Sequence, residues 1–221
     1  HRGRLHVAID AGVPRQHAAY IAVEDRQAHS VRLRQDRAGG GAADARQRRQ
    51  RLEVCRQLAA VAIHPNDVPQ LAASGALEDA LAVIDELAAQ PRVVAVGETG
   101  LDYYRRDGDL GWQRERFRVH VRAARATGKP LVIHTRSAAD DTLAVMRDEG
   151  ADEAGGVMHC FTESWDVAKA ALDLGFHISF SGIVSFRNAV ELQDVARRVP
   201  FERMLIETDS PYLAPVPHRG R

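Results

Sequence analysis

Lysine is nearly absent from this chain: 221 residues hold only Lys129 and Lys169, so arginine carries almost all the positive charge. Cysteine is as scarce. Cys55 and Cys160 form no CxxC and no disulfide framework, which points to a reducing, cytoplasmic setting. No stretch approaches the roughly 20 apolar residues that a membrane-spanning helix requires, so no membrane association is expected. The opening His1-Arg-Gly-Arg-Leu-His6 leads into no apolar signal run, and without an initiator Met the natural N-terminus is expected upstream. A formal net charge of zero excludes a globally basic nucleic-acid binder. It leaves room for an enzyme that touches phosphates through a few local residues and metal ions.

The zero charge is an average over two unlike parts. Residues 1–60 contain twelve Arg, no Lys and six acidic residues, so the remainder is net negative. Residues 1–57 have sparse apolar positions with neither alternation nor a 3.6-residue period. Within them Arg37–Arg51 is a polar, Arg/Ala/Gly/Gln-rich stretch unsuited to a strand or a core helix. Three readings of the segment stay open: a solvated or disordered arm, a basic arm for nucleic acid, and a stretch that is not the native product of its reading frame.

From Leu58 to Arg221 the pattern is regular. Strands are expected at 58–63, 93–97, 131–134, 156–158, 176–181 and 204–207. Helices are expected at 77–87, 113–126, 138–147, 165–174 and 189–199. Strands alternating with helices indicate a parallel sheet with crossover helices. The length suits one domain, and the pattern fits an α/β barrel of the TIM type, (β/α)8, with six of its eight strands visible. The other two would have to come from the N-terminal segment.

Four of these strands end in a side chain able to bind metal: Glu98, His134, His159 and, beyond Met204–Glu207, Asp209. Taken alone, a histidine at the end of a strand is more often a hydrogen-bonded core residue than a ligand. A parallel barrel brings the C-terminal ends of its strands to one mouth, where active sites lie. Gathering carboxylates and imidazoles there is costly unless a cation neutralises them. Imidazole with carboxylate suits Zn, Mn or Fe, and carboxylate with water suits Mg. Arg136 shares a strand face with His134 and could pair with phosphate, or with a supporting carboxylate. Asp102 reads as orienting the loop after its strand, Tyr103 and Tyr104 as base-stacking or packing residues, and Cys160 as an inert core thiol.

The motifs Ala62-Ile-His64-Pro65, Gly97-Glu-Thr-Gly-Leu-Asp102, His134-Thr-Arg136, His159-Cys-Phe161 and Glu207-Thr-Asp-Ser-Pro211 occur in series. Over residues 58–221 the chain resembles the TatD-like metal-dependent deoxyribonucleases of the amidohydrolase superfamily. The resemblance implies a divalent-metal site for Mg, Mn or Zn, with two ions in the family. Glu98, His134, His159 and Asp209 are then ligands. Glu98 lies between the ions, His134 and His159 complete the second, and Asp209 binds the first and orients or deprotonates the attacking water. His64 and Arg136 lie beside the phosphate. DNA is the implied substrate, and no protein partner is indicated.

The chain also departs from that family. Its members open with a strand carrying His-x-His, whose histidines bind the first ion, and no His-x-His occurs here. The resemblance therefore leaves the second metal site intact and the first without its histidine pair. Family members also continue past the position of Arg221 through helices that cover the last strand, so a barrel incomplete at its N-terminal strands and C-terminal helices is expected. Two alternatives follow: a catalytically impaired fragment that binds only metal or a partner, and a related ester or amide hydrolase such as a D-aminoacyl-tRNA deacylase.

Overall fold

The computed structural model describes residues 4–6, 19–24, 58–207 and 213–218. Among the described residues eight strands form one sheet in sequence order: β1 (Arg4–His6), β2 (Ala19–Glu24), β3 (Leu58–Ala62), β4 (Val93–Asp102), β5 (Leu131–Arg136), β6 (Gly156–Met158), β7 (His177–Phe180) and β8 (Met204–Ile206). From β3 to β8 every pairing is parallel. Parallel neighbours need a crossover, and helices supply each one. Between β3 and β4 run α1 (Val68–Ala73), α2 (Leu77–Ala82) and α3 (Ile84–Ala89). Then come α4 (Gly111–Thr127), α5 (Ala139–Asp148), α6 (Trp165–Asp173) and α7 (Val190–Arg198), one in each following connection. The α/β class and the six parallel strands agree with the sequence reading. Among the described residues no helix is long and apolar enough to cross a membrane.

Several details differ from expectation. The N-terminal segment does contribute two strands, but β1 pairs with β2, and β2 with β3, antiparallel. A TIM barrel would have parallel strands there. The β1–β2 connection, residues 7–18, is at the lower limit of length for a crossover, whereas antiparallel neighbours can be joined by much shorter ones. The Arg-rich stretch 37–51 lies outside the described residues. The helix expected over 77–87 is two helices broken at Val83, a β-branched residue of low helix propensity. Strand β4 runs five residues beyond its expected end, to Asp102.

Alternation along the strands sorts the core into two layers. On the helix side Val61, Val96, Leu131, Ile133, Met158 and Ile178 pack with Ile84, Phe117, Val121 and Met146, all buried. On the inner side Ala60, Ala95 and Val132 are buried together and Val157 packs against them. These four come from consecutive strands β3 to β6, and their small side chains form a floor.

One buried polar residue ties a helix to the end of β3. His120 of α4 is fully buried; its Nε2 accepts the Ile63 N–H at 3.0 Å and its Nδ1–H donates to the Arg116 carbonyl at 2.7 Å. Burial pushes this imidazole from 6.5 down to about 4, against the raising effect of the Arg116 carbonyl. The unfolded chain takes up this proton near pH 6.5, whereas the folded chain resists until about pH 4. The neutral ring therefore stabilises the fold fully above pH 6.5, and that contribution, about 3 kcal/mol, is lost on descending to pH 4. Urea unfolding between pH 7 and 4 should show this loss, and His120→Gln should flatten the slope whatever its effect at pH 7.

Close approach also constrains β4. Gly100 has φ +130°, and a Cβ there would fall on the His134 carbonyl of β5. Gly100→Ala should therefore destabilise the protein by about 2 kcal/mol or more. An unchanged midpoint in denaturant would show that β4 and β5 have room to separate.

Candidate metal centre

Just beyond the floor, the same four strands present His64, Glu98, His134 and His159. Glu98 does not end a strand, as the sequence reading had it. Gly97 pairs with Val132 and Thr99 with Ile133, so Glu98 is the extra residue of a bulge inside β4. Bulges re-aim a side chain, and this one turns Glu98 toward the three imidazoles. Its Oε1 lies 3.1 Å from His134 Nδ1 and 3.7 Å from His64 Nε2, and its Oε2 lies 3.8 Å from His159 Nε2. The His64 and His134 rings meet edge-on at 4.8 Å. Glu98 is only about one-fifth exposed. Burial pushes its carboxyl up, but hydrogen bonding from His134 and His64 and the charge of His159 outweigh this and hold it well below the usual carboxylate range.

Two further carboxylates back the histidines. Asp102 Oδ2 lies 3.1 Å from His134 Nε2 and also accepts from Asn66 Nδ2 at 3.0 Å, while Oδ1 accepts the Tyr104 N–H at 3.0 Å. Asp102 is buried. Burial pushes its carboxyl up, and hydrogen bonds from Asn66, the Tyr104 backbone and His134 bring it below its ordinary value. Glu207 Oε2 lies 2.6 Å from His159 Nδ1, and its Oε1 accepts the Cys160 N–H. The loop-orienting role read for Asp102 is visible in its bond to Tyr104; its contact with His134 was not foreseen. Asn66 and His120 have no role in the sequence reading, and Glu207 enters it only as a strand end and as part of the motif Glu207–Pro211.

Hydrogen bonding separates the three imidazoles by chemistry. The Asp102 and Glu207 oxygens accept from the far sides of these rings, so with a cation bound His134 would keep its proton on Nε2 and His159 on Nδ1. The ion would then take the place of the protons on the nitrogens turned to Glu98. His64 is the reverse: its Nδ1 accepts the Asn66 N–H at 3.1 Å, so the proton of the neutral ring is on Nε2, facing Glu98. Among the described residues His64, Glu98 and His134 place potential ligand atoms within 4.8 Å of one another. Proximity alone would make all three ligands. The bond at Nδ1 sets His64 apart, because binding a cation through Nε2 would leave neither nitrogen of its ring protonated. Imidazole with carboxylate suits a divalent ion of the Zn or Mn kind; His159 adjoins the compact group through its Nε2, 3.8 Å from Glu98 Oε2.

At the rim the Arg136 guanidinium lies 3.7 Å over the Tyr104 ring, and Arg105 lies 4.9 Å from the same ring. Among the described residues Arg136 thus stacks on an aromatic ring and meets no supporting carboxylate. Tyr103 is tied down elsewhere, its OH donating to Asp141 at 2.7 Å. Cys160 differs from the buried core thiol expected. It sits in a turn at φ +45°, where strand alternation does not apply, half-buried with Sγ donating to Ser181 Oγ at 3.3 Å. Asp209, with Thr208, Ser210 and Pro211, lies outside the described residues.

Comparison with known proteins bears on this arrangement. YcfH of Escherichia coli strain K12, designated a metal-dependent hydrolase, is 58% identical over 135 residues, covering 61% of this chain and 51% of YcfH. The 3'-5' ssDNA/RNA exonuclease TatD of Edwardsiella piscicida is 35% identical over 158 residues, covering 71% of this chain and 59% of the exonuclease. The chain thus spans little more than half the length of these relatives. The crystal structure of YJJV, a TatD homologue from Escherichia coli K12, matches with a TM-score of 0.61 at 26% identity, covering 73% of this chain and 61% of YJJV. The family described as TatD related DNase matches residues 43–221, which include every side chain of the centre described above. The chain belongs to the TatD-related DNase family.

Proposed function

We propose that this chain carries the metal-binding centre of a divalent-metal-dependent hydrolase that cleaves phosphodiester bonds in nucleic acid, with DNA as the main substrate. The observation that carries this reading is the convergence of His134 and His159, each backed by a carboxylate, on the ionised Glu98. Glu98, His134 and His159 would hold the cation, with Asp209 as a further ligand from just after β8. Bound there, a divalent ion polarises the ester under attack and makes water acidic enough to attack at neutral pH. Asp209 would orient that water or take its proton. His64 would donate its Nε2–H to a phosphate oxygen. Arg136 would leave the Tyr104 face, or share it, to pair with the same phosphate. The name of the Edwardsiella relative points to the same substrate class.

One observation favours a second reading. The chain contains no His-x-His, the element that supplies the first ion's histidines in the family. On that reading the chain binds one cation at the centre described and hydrolyses nothing alone.

The purified chain should release nucleotides from single-stranded DNA with Mn or Mg and stop when EDTA is added. Metal binding without cleavage would support the second reading, and hydrolysis of an aminoacyl ester without cleavage of DNA would move the chain to the ester hydrolases. Where cleavage is seen, Asp209→Asn should lower kcat by roughly a hundredfold or more with the unfolding midpoint kept. Full activity in that variant would remove Asp209 from the reaction.

A further inference from the structure

We propose that Asp102 and Glu207 are positioning residues that decide which ring nitrogen His134 and His159 offer to a cation, an inference that rests on the metal-site reading above. The two histidines turn opposite atoms to Glu98: Nδ1 of His134, at 3.1 Å, and Nε2 of His159, at 3.8 Å. What they share is a carboxylate on the other nitrogen, Asp102 at 3.1 Å and Glu207 at 2.6 Å. Ring orientation therefore follows the backing carboxylate, not a common preference of the strands.

Each carboxylate is held by groups outside the centre. The Gln113 side chain of α4 clamps the Asp102 backbone from both sides, accepting its N–H and donating to its carbonyl, each at 2.8 Å. The Asp102 side chain is 3% exposed, and its oxygens accept from the Tyr104 N–H and from Asn66. Glu207 spends its second oxygen on the Cys160 N–H, next to His159 itself. Asn66 joins the two kinds of histidine. Its backbone N–H fixes His64 as a donor, its amide nitrogen supports Asp102, and its Oδ1 accepts from Arg106 at 3.1 Å.

Replacing Asp102 by Asn tests this directly. The Asn oxygen would stay with the Tyr104 N–H, which leaves the amide nitrogen facing His134. His134 would then have to accept at Nε2 and move its proton to Nδ1, the atom needed by the cation. In Glu207→Gln the oxygen would stay with the Cys160 N–H, and His159 would be forced to carry its proton on Nε2. Zinc titration of the full chain by calorimetry should show affinity falling about ten- to a hundredfold in each variant. Nitrogen-15 NMR of the zinc-loaded wild type should show His134 protonated at Nε2 and His159 at Nδ1, with the proton moved to the other nitrogen in the corresponding variant.

A wild-type chain that binds no zinc would overturn the metal-site reading, and this inference with it. Zinc binding by the wild type with affinity and ring protonation unchanged in both folded variants would overturn this inference alone. Weaker binding with unchanged ring protonation would also overturn it, because it would assign the carboxylates a merely structural role. Should one variant fail to fold, the other decides by the same two readouts.

Discussion

An ionised carboxylate held mostly out of water is the constraint around which the centre is arranged. Withdrawing such a charge from solvent costs several kcal/mol unless neighbours compensate. Glu98 is about one-fifth exposed and still strongly favours its charged form, because imidazoles flank both of its oxygens. Those imidazoles reach it only because β4 bulges at that residue and then continues in register to Asp102. The continuation matters as much as the bulge. Without it Asp102 would not lie opposite Arg136, the last residue of β5, and its carboxylate would not reach back to His134. One extra residue in one strand thus aims one carboxylate into the mouth and places a second behind a histidine.

The parts legible in sequence were those that repeat locally. Apolar runs bounded by glycine or proline marked the six parallel strands, and helical spacing marked the longer crossovers. The bulge has a local sign: Glu98 lies between Gly97 and Gly100, and glycine within a strand pattern often marks a bulge or a close backbone approach. β1 and β2 carried no readable alternation. The backing carboxylates were invisible for another reason. Asp102 meets a histidine 32 residues away, Glu207 meets one 48 residues away, and His120 meets Ile63 across 57. No local pattern records such a pairing, and its meaning depends on which atom of the ring it touches.

That atom-level detail separates His64 from its neighbours. By distance alone His64 belongs with Glu98 and His134 as a third ligand. By hydrogen bonding it is a donor, since a backbone N–H occupies the lone pair of its Nδ1. A donor beside Glu98, near a rim where Arg136 and Arg105 lie on Tyr104, is placed to meet negative charge on a substrate. The hydrogen bonds of the three histidines thus differ within one cluster of like residues, and the difference is made by Asn66, Asp102 and Glu207.

The supports of this centre also bear on the missing His-x-His. Asn66, Asp102, Gln113 and Glu207 all lie between β3 and the end of β8, and so do the residues they orient. Among the described residues, the hydrogen bonds named for His64, His134 and His159 come from Asn66, Asp102 and Glu207. Binding a cation and using it are separable demands: the first needs correctly presented nitrogens and one ionised carboxylate, the second a complete set of charges about the attacked ester. The nitrogens and the carboxylate that the first demand calls for lie within residues 64–207, so loss of activity and loss of metal affinity need not accompany one another.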